Sequence, residues 1–162
     1  MGSNNGGHIY FIDDDIIDME FAISLLKDDG IEVTSHGFLA DAFPFLRSDN
    51  AKDIDVFVAD FAIAYGQVDK DQPKEDTFTA GETGNGRYTG ARLLRAIRNG
   101  ERNINVNRSV PAIFYTNLRL DPEIHRLAEE LKAKVCLKLE GGYSELYQLI
   151  TGFLREKEDK SE

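Results

Sequence analysis

Three aspartates stand together at Asp13-Asp14-Asp15, directly after the short apolar run 8–12, and a fourth, Asp60, closes a second run, 55–59. A third run, 110–115, is followed by Thr116, and a fourth, 134–138, ends in Lys138. Carboxylates gathered in one place repel one another strongly at low dielectric, and a divalent cation is the natural compensation. Ligands that are all oxygen favour Mg²⁺. A carboxylate held against such a cation can attack a phosphoryl donor, while an ammonium and a hydroxyl bind the oxygens of the group in transfer. The chemistry these residues suggest is phosphoryl acceptance on Asp60, assisted by Thr116 and Lys138, beside Mg²⁺ in the acidic cluster. Each residue alone has a plainer role: Asp15 can cap a helix, Thr116 can satisfy a loop amide, and Lys138 can be a solvated strand end. The weight lies in four such residues falling at four run ends.

That coincidence has chemical meaning only if the runs are strands of one sheet. The segments 8–12, 31–35, 55–59, 110–115 and 134–138 are brief and carry β-branched or aromatic residues, the pattern of buried strands. Between them run helical spacings. The first has Ile17, Phe21 and Leu25 with Ala22 and Leu26. The second has Phe38, Ala42, Phe45 and Leu46 and is weakened by Pro44. The third has Ala91, Leu94 and Ile97, the fourth Ile124, Leu127, Ala128 and Leu131, and the fifth Leu146, Leu149, Ile150, Phe153 and Leu154. Asp121-Pro122-Glu123 is a strong helix start: a capping carboxylate, a proline tolerated at the first position, and an acid facing the helix dipole.

Strands alternating with helices imply βαβ units and a parallel sheet covered on both faces, a three-layer α/β sandwich. In such sheets ligands bind at the carboxyl ends of the strands, where these polar residues fall. Residues 65–88 interrupt the rhythm: they are rich in Gly, Asp, Thr and Lys, lack apolar periodicity, and predict an elaborated loop. Residues 1–7 read as a disordered lead-in and 156–162 as a fraying, charged tail, which leaves 8–155 as a single domain.

Composition narrows the partners. With 19 Lys and Arg against 29 Asp and Glu in 162 residues, the net charge of −10 disfavours nucleic acid and anionic membranes and favours a cation or a basic protein surface. No apolar stretch approaches a membrane span. The single Cys136 lies in an apolar run, as a core thiol in a reducing and hence cytoplasmic setting would.

Together these motifs resemble the receiver domain of bacterial two-component response regulators, in particular the chemotaxis-type single-domain members. The resemblance covers about residues 8–155. Ile9-Tyr-Phe-Ile-Asp-Asp-Asp15 resembles the family's first strand and acidic pair, and Val56-Phe-Val-Ala-Asp-Phe61 its acceptor strand. Gly90-Ala-Arg-Leu-Leu-Arg-Ala-Ile-Arg98 resembles its third helix, which makes 65–88 an insertion after strand three. The resemblance implies a flavodoxin-like (βα)5 sandwich with sheet order 2-1-3-4-5. It implies Mg²⁺ on Asp13, Asp14, Asp60 and the carbonyl of Ala62, with Asp15 left to start the first helix. It further implies Asp60 as acceptor, Thr116 as the switch hydroxyl and Lys138 as the phosphate-pairing amine. The donor would be a sensor histidine kinase or a histidine phosphotransfer protein. Output would pass by contact with a downstream protein through the last two helices and last strand, so the chain catalyses nothing beyond its own phosphorylation and dephosphorylation.

The chain departs from the family pattern at several positions. Leu139 follows Lys138 where proline is usual, so no cis peptide is expected there. Val135 stands where an aromatic commonly couples to the threonine, and Asn117 where a small residue is typical. Ala62 and Leu118 cannot orient an attacking water, which predicts slow self-dephosphorylation. Gly81-Glu-Thr-Gly-Asn-Gly86 lacks the Gly-Lys-Ser/Thr ending of a phosphate-binding loop, and the insertion is read instead as a selector of partners.

Two other readings use the same residues. Phe11-Ile-Asp13-x-Asp15-x-Ile17 resembles the Asp-x-Asp signature of haloacid-dehalogenase-type phosphohydrolases, but that leaves Asp60 without a task. A pseudo-receiver that only binds proteins would accommodate Val135 and Leu139, but leaves the intact acidic, threonine and lysine set unexplained.

Overall fold

The computed structural model describes residues 6–64, 78–117, 121–138 and 142–161. The strands are β1 (His8–Ile12), β2 (Glu32–His36), β3 (Val56–Ala59), β4 (Ala112–Thr116) and β5 (Ala133–Leu137). The helices are α1 (Ile16–Asp28), α2 (Leu39–Leu46), α3 (Ala80–Thr83), α4 (Thr89–Asn99), α5 (Pro122–Leu131) and α6 (Gly142–Ser161), with a 3-10 turn at Asp49–Asp53. All strand pairings are parallel, and the sheet order is β2-β1-β3-β4-β5, as expected for a flavodoxin-like sheet.

Alternation along the central strands divides the core in two. Tyr10, Ile12, Phe57, Ala59 and Phe114 point to the face covered by α2, α4 and α5. Ile9, Phe11, Val56, Val58 and Ile113 point to the face covered by α1 and α6. A central strand buried on both sides must be apolar throughout, which is why β1, β3 and β4 were visible as runs.

Helix α5 begins as its sequence dictates: the Asp121 carboxylate accepts from the Glu123 amide at 2.9 Å, and Pro122 opens the first turn. Its buried residues are Ile124, Leu127, Ala128 and Leu131, the expected stripe.

Two other stripes are corrected. In α1 the expected Ala22 and Leu26 are buried, but the expected Ile17 and Phe21 are exposed, at 81% and 62%, and Met19 and Ile23 are buried instead. Met19, Ala22, Ile23 and Leu26 follow helical spacing and fill the layer against α6. In α2 the buried set is Leu39, Ala42, Phe43 and Leu46, with Phe38 standing at the N-cap. Pro44 lies inside this helix. The helix ends two residues later, so few ladder bonds are at stake, and four buried apolar side chains outweigh the missing one.

The polar segment 65–88 is not wholly loop. Its residues 65–77 lie outside the described residues, but 80–83 form α3. Helix α3 is held by a reciprocal capping box: Thr79 Oγ1 accepts from the Glu82 amide at 3.1 Å, and Glu82 accepts from the Thr79 amide at 3.2 Å. Gly84 closes it in the left-handed region, φ 59°. At the other end of the chain, the expected frayed tail is helical. Helix α6 continues to Ser161, and Lys157 pairs with Asp55, whose other oxygen accepts from the His8 amide at 2.9 Å. Among the described residues no helix is long and apolar enough to cross a membrane.

Candidate functional site

Register brings the expected residues to one edge. Ile12 pairs with Ala59, so Asp13 and Asp60 leave adjacent strands side by side. The Asp60 amide donates to the Ile12 carbonyl at 3.2 Å, and the Asp13 amide to the His36 carbonyl at 3.2 Å. On the other side Thr116 pairs with Leu137, and the Lys138 amide donates to the Thr116 carbonyl at 2.9 Å.

The side chains then converge on one cation. Lys138 Nζ lies 2.7 Å from Asp13 Oδ2 and 3.1 Å from Asp60 Oδ2, with the lysine side chain 3% and the Asp13 side chain 4% exposed. The remaining oxygens are satisfied by backbone: Asp13 Oδ1 accepts from the Asp15 amide at 2.9 Å, and Asp60 Oδ1 from the Phe61 amide at 2.7 Å. Burial, helped by the neighbouring Asp60 charge, pushes the Asp13 carboxyl up to about 6 against the pull of Lys138 and the Asp15 amide. For Lys138, burial alone would favour the neutral amine. The two carboxylates outweigh it and raise its pKa above the ordinary lysine range. At neutral pH Asp13 is therefore an anion and Lys138 a cation.

Thr116 is fully buried at the end of β4. Asp14 and Ala62 are exposed, and both line an open cavity of about 820 Å³ that extends to Thr83, Asn85 and Arg87 of the inserted segment. Asp13 and Asp60 have closed on Lys138 while Asp14 faces this cavity, and among the described residues no three acidic, histidine or cysteine side chains stand together as a metal cage. The expected donors, three carboxylates and a carbonyl, are all hard oxygens of the kind Mg²⁺ takes.

An edge with these residues invites comparison with known folds. No protein-family model and no curated protein matches the chain. Solved structures do. A response regulator receiver domain protein from Clostridium thermocellum superposes with a TM-score of 0.65 at 19% identity, over 94% of this chain and 97% of that one. The receiver domain of Francisella response regulator 1452 gives 0.64 at 17%, over 93% and 98%. The Vibrio cholerae chemotaxis protein CheY4 gives 0.60 at 16%, over 91% and 98%. The fold is that of response regulator receiver domains.

Within this receiver fold some supporting residues were not apparent from residue type. Gly90 was noted only as part of a helix, yet a Cβ there would lie 1.9 Å from the Asp60 carbonyl oxygen. The Gly90 amide also donates to the Phe61 carbonyl at 2.8 Å, so the start of α4 is pressed onto the turn that follows β3. The inserted segment is anchored by charge: Arg92 reaches Glu82 and Glu101, each at 2.7 Å, and Arg92 and Arg102 flank the Phe78 ring, each 4.8 Å from its centre. The signal for α3 was in the sequence as Thr79-x-x-Glu82 followed by Gly84. Val135 is partly buried against the core, and Tyr115 lies under Lys138, its ring centre 5.6 Å from Nζ. Leu118 and Leu139 lie outside the described residues.

Proposed function

We propose that this chain is a stand-alone response regulator receiver that accepts a phosphoryl group on Asp60 and signals by contact with other proteins. The observation that carries the reading is the convergence of Asp13 and Asp60 on a single buried ammonium, Lys138, at the carboxyl edge of a receiver sheet. A buried lysine shared by two carboxylates is costly as mere scaffolding, since apolar packing would serve as well.

A carboxylate oxygen of Asp60 attacks phosphorus. The new O–P bond forms as the bond to the donor breaks, and the donor keeps the electron pair. For a phosphohistidine donor the leaving imidazole nitrogen takes up a proton, and the product is an aspartyl phosphate. Lys138 orients Asp60 before transfer and pairs with the phosphoryl oxygens afterwards, and the Thr116 hydroxyl binds another of them. Asp13, Asp14, Asp60 and the Ala62 carbonyl would hold Mg²⁺, and the ion would supply neutralisation of the charge that gathers in transfer. Ala62 and Leu118 offer an attacking water no hydrogen-bonding side chain, which supports slow self-dephosphorylation. The donor is a sensor histidine kinase or a histidine phosphotransfer protein, in the cytoplasm, and output passes from the α5, β5 and α6 face.

The test is intact-mass measurement after incubation with Mg²⁺ and acetyl phosphate, for the wild type and Asp60→Asn. One phosphoryl mass on the wild type and none on the variant supports the reading. Labelling that survives in Asp60→Asn but needs Asp13 assigns a haloacid-dehalogenase-type phosphohydrolase instead. No labelling and no Mg²⁺ binding leaves a pseudo-receiver that only binds proteins.

A further inference from the structure

We infer that Tyr88, contributed by the inserted segment, is a positioning residue that couples the state of Asp60 to the start of α5. The inference rests on Asp60 being the acceptor.

Asp60 is held from two sides. One oxygen meets Lys138; the other accepts from the Phe61 amide at 2.7 Å. The Phe61 ring is fully buried, stacked on Phe114 with ring centres 4.2 Å apart, and meets the Tyr88 ring edge-on at 6.4 Å and 87°. The Tyr88 hydroxyl donates to Asp121 Oδ2 at 2.5 Å, and Arg87 donates to the same oxygen from Nε at 3.0 Å. The other oxygen of Asp121 is the cap of α5. Three contacts thus lead from the acceptor carboxylate, through two aromatic rings, to the carboxylate that starts the next helix.

The local sequence builds this path. Gly84 sits in the left-handed region, and a Cβ there would come within 2.8 Å of the Tyr88 ring, so the glycine both turns the chain and leaves room for the tyrosine. The Tyr88 amide donates to the Thr83 carbonyl at 2.8 Å, which ties the residue to α3.

Phosphorylation would act on the first contact. A carboxylate accepts the Phe61 amide in a charge-assisted bond, whereas the carbonyl of an acyl phosphate accepts it as a neutral group, with roughly half the strength. The Phe61 ring is locked between neighbours, and packed interiors shift between discrete arrangements rather than deforming smoothly. Movement of Phe61 therefore displaces Tyr88, and the Asp121 carboxylate must redistribute between Tyr88 and the α5 amide.

The experiment compares wild type, Tyr88→Phe, Asp121→Asn and the double variant by amide hydrogen exchange before and after phosphorylation with acetyl phosphate and Mg²⁺, with intact mass recorded in parallel. Tyr88→Phe keeps the ring and removes the hydroxyl; Asp121→Asn keeps a good helix cap. In the wild type, phosphorylation changes exchange at the first turn of α5 by at least about fivefold, the lower end of ordinary coupling. Both single variants gain the phosphoryl mass but lose most of that change, and the double variant loses no more than either single. A merely structural role would shift exchange before phosphorylation and leave the phosphorylation-dependent ratio intact. Tyr88→Phe with a wild-type ratio overturns the coupling while Asp60 stands as acceptor. Absence of the phosphoryl mass from the wild type overturns both.

Discussion

Lys138 illustrates how much of this site rests on one side chain. Its ammonium lies between two carboxylates and is almost fully buried, so Lys138→Met leaves Asp13 and Asp60 uncompensated. Breaking a buried pair from one side costs about 3 kcal/mol or more. Raising the Asp13 pKa to about 6 gives the folded state an advantage below the unfolded value of about 3.9, and that advantage is lost as pH rises through 6. The loss is larger without the ammonium, so the stability gap between wild type and Lys138→Met should narrow from pH 7 to pH 5 in urea titrations. A gap constant with pH would count against the charge argument. His36 has the opposite sign. Its ring packs near Tyr10 and Phe45, and its Nδ1 is 3.0 Å from the Tyr10 hydroxyl. Burial holds its pKa below the ordinary value despite Asp41. The unfolded chain then binds the proton more readily, and stability falls as pH drops below about 6.5. His36→Gln should flatten that slope relative to the wild type; an unchanged slope would remove His36 from the account.

At the scale of elements, the contact between α4 and the Asp60-Phe61 turn gives a paired prediction. Gly90→Ala must displace either the helix start or the Asp60 backbone and should cost about 2 kcal/mol, the usual scale of overpacking, together with a slower gain of phosphoryl mass. Gly152, inside α6 with open space around it, should behave oppositely, Gly152→Ala adding about 0.5–1 kcal/mol without touching phosphorylation. Thermal melts of both variants check the pair, and equal effects would mean that helix propensity, not the contact, is at work. The central strands were legible because strands buried on both faces must be apolar throughout, the sheet order came from the family resemblance, and the edge where the polar residues gather was legible because parallel strands end together. What escaped had weaker signals. In α1 Ala22 and Leu26 were placed correctly, but Ile17 and Phe21 were included with them because they are as apolar as Met19 and Ile23, which do face the core. Helix α3 is a single turn, too short for periodicity, and only its capping box marks it. The role of Gly90 depends on a tertiary approach that no local pattern encodes.

At the scale of the molecule, the excess of acid over base and the crowding of carboxylates at one sheet edge act together. A chain with net charge −10 is stabilised by any salt through screening, but only a cation bound at a specific place distinguishes folded from unfolded chain. If Asp13, Asp14 and Asp60 hold Mg²⁺, saturating it at 100 times its dissociation constant should stabilise the fold by about 2.7 kcal/mol. Sodium chloride at equal ionic strength should give only the screening part. Asp14 is exposed and takes no part in the Lys138 cluster, so Asp14→Ala should fold normally, which makes it a cleaner control than a change at Asp13. The expected result in thermal melts is a rise with MgCl₂ beyond that with sodium chloride for the wild type, and no such difference for Asp14→Ala. Equal rises with the two salts in the wild type would mean that the acidic edge is neutralised by Lys138 alone, and the metal would have to be removed from the proposed chemistry. A rise retained in Asp14→Ala would confine the ion to Asp13 and Asp60, in competition with the lysine that already bridges them.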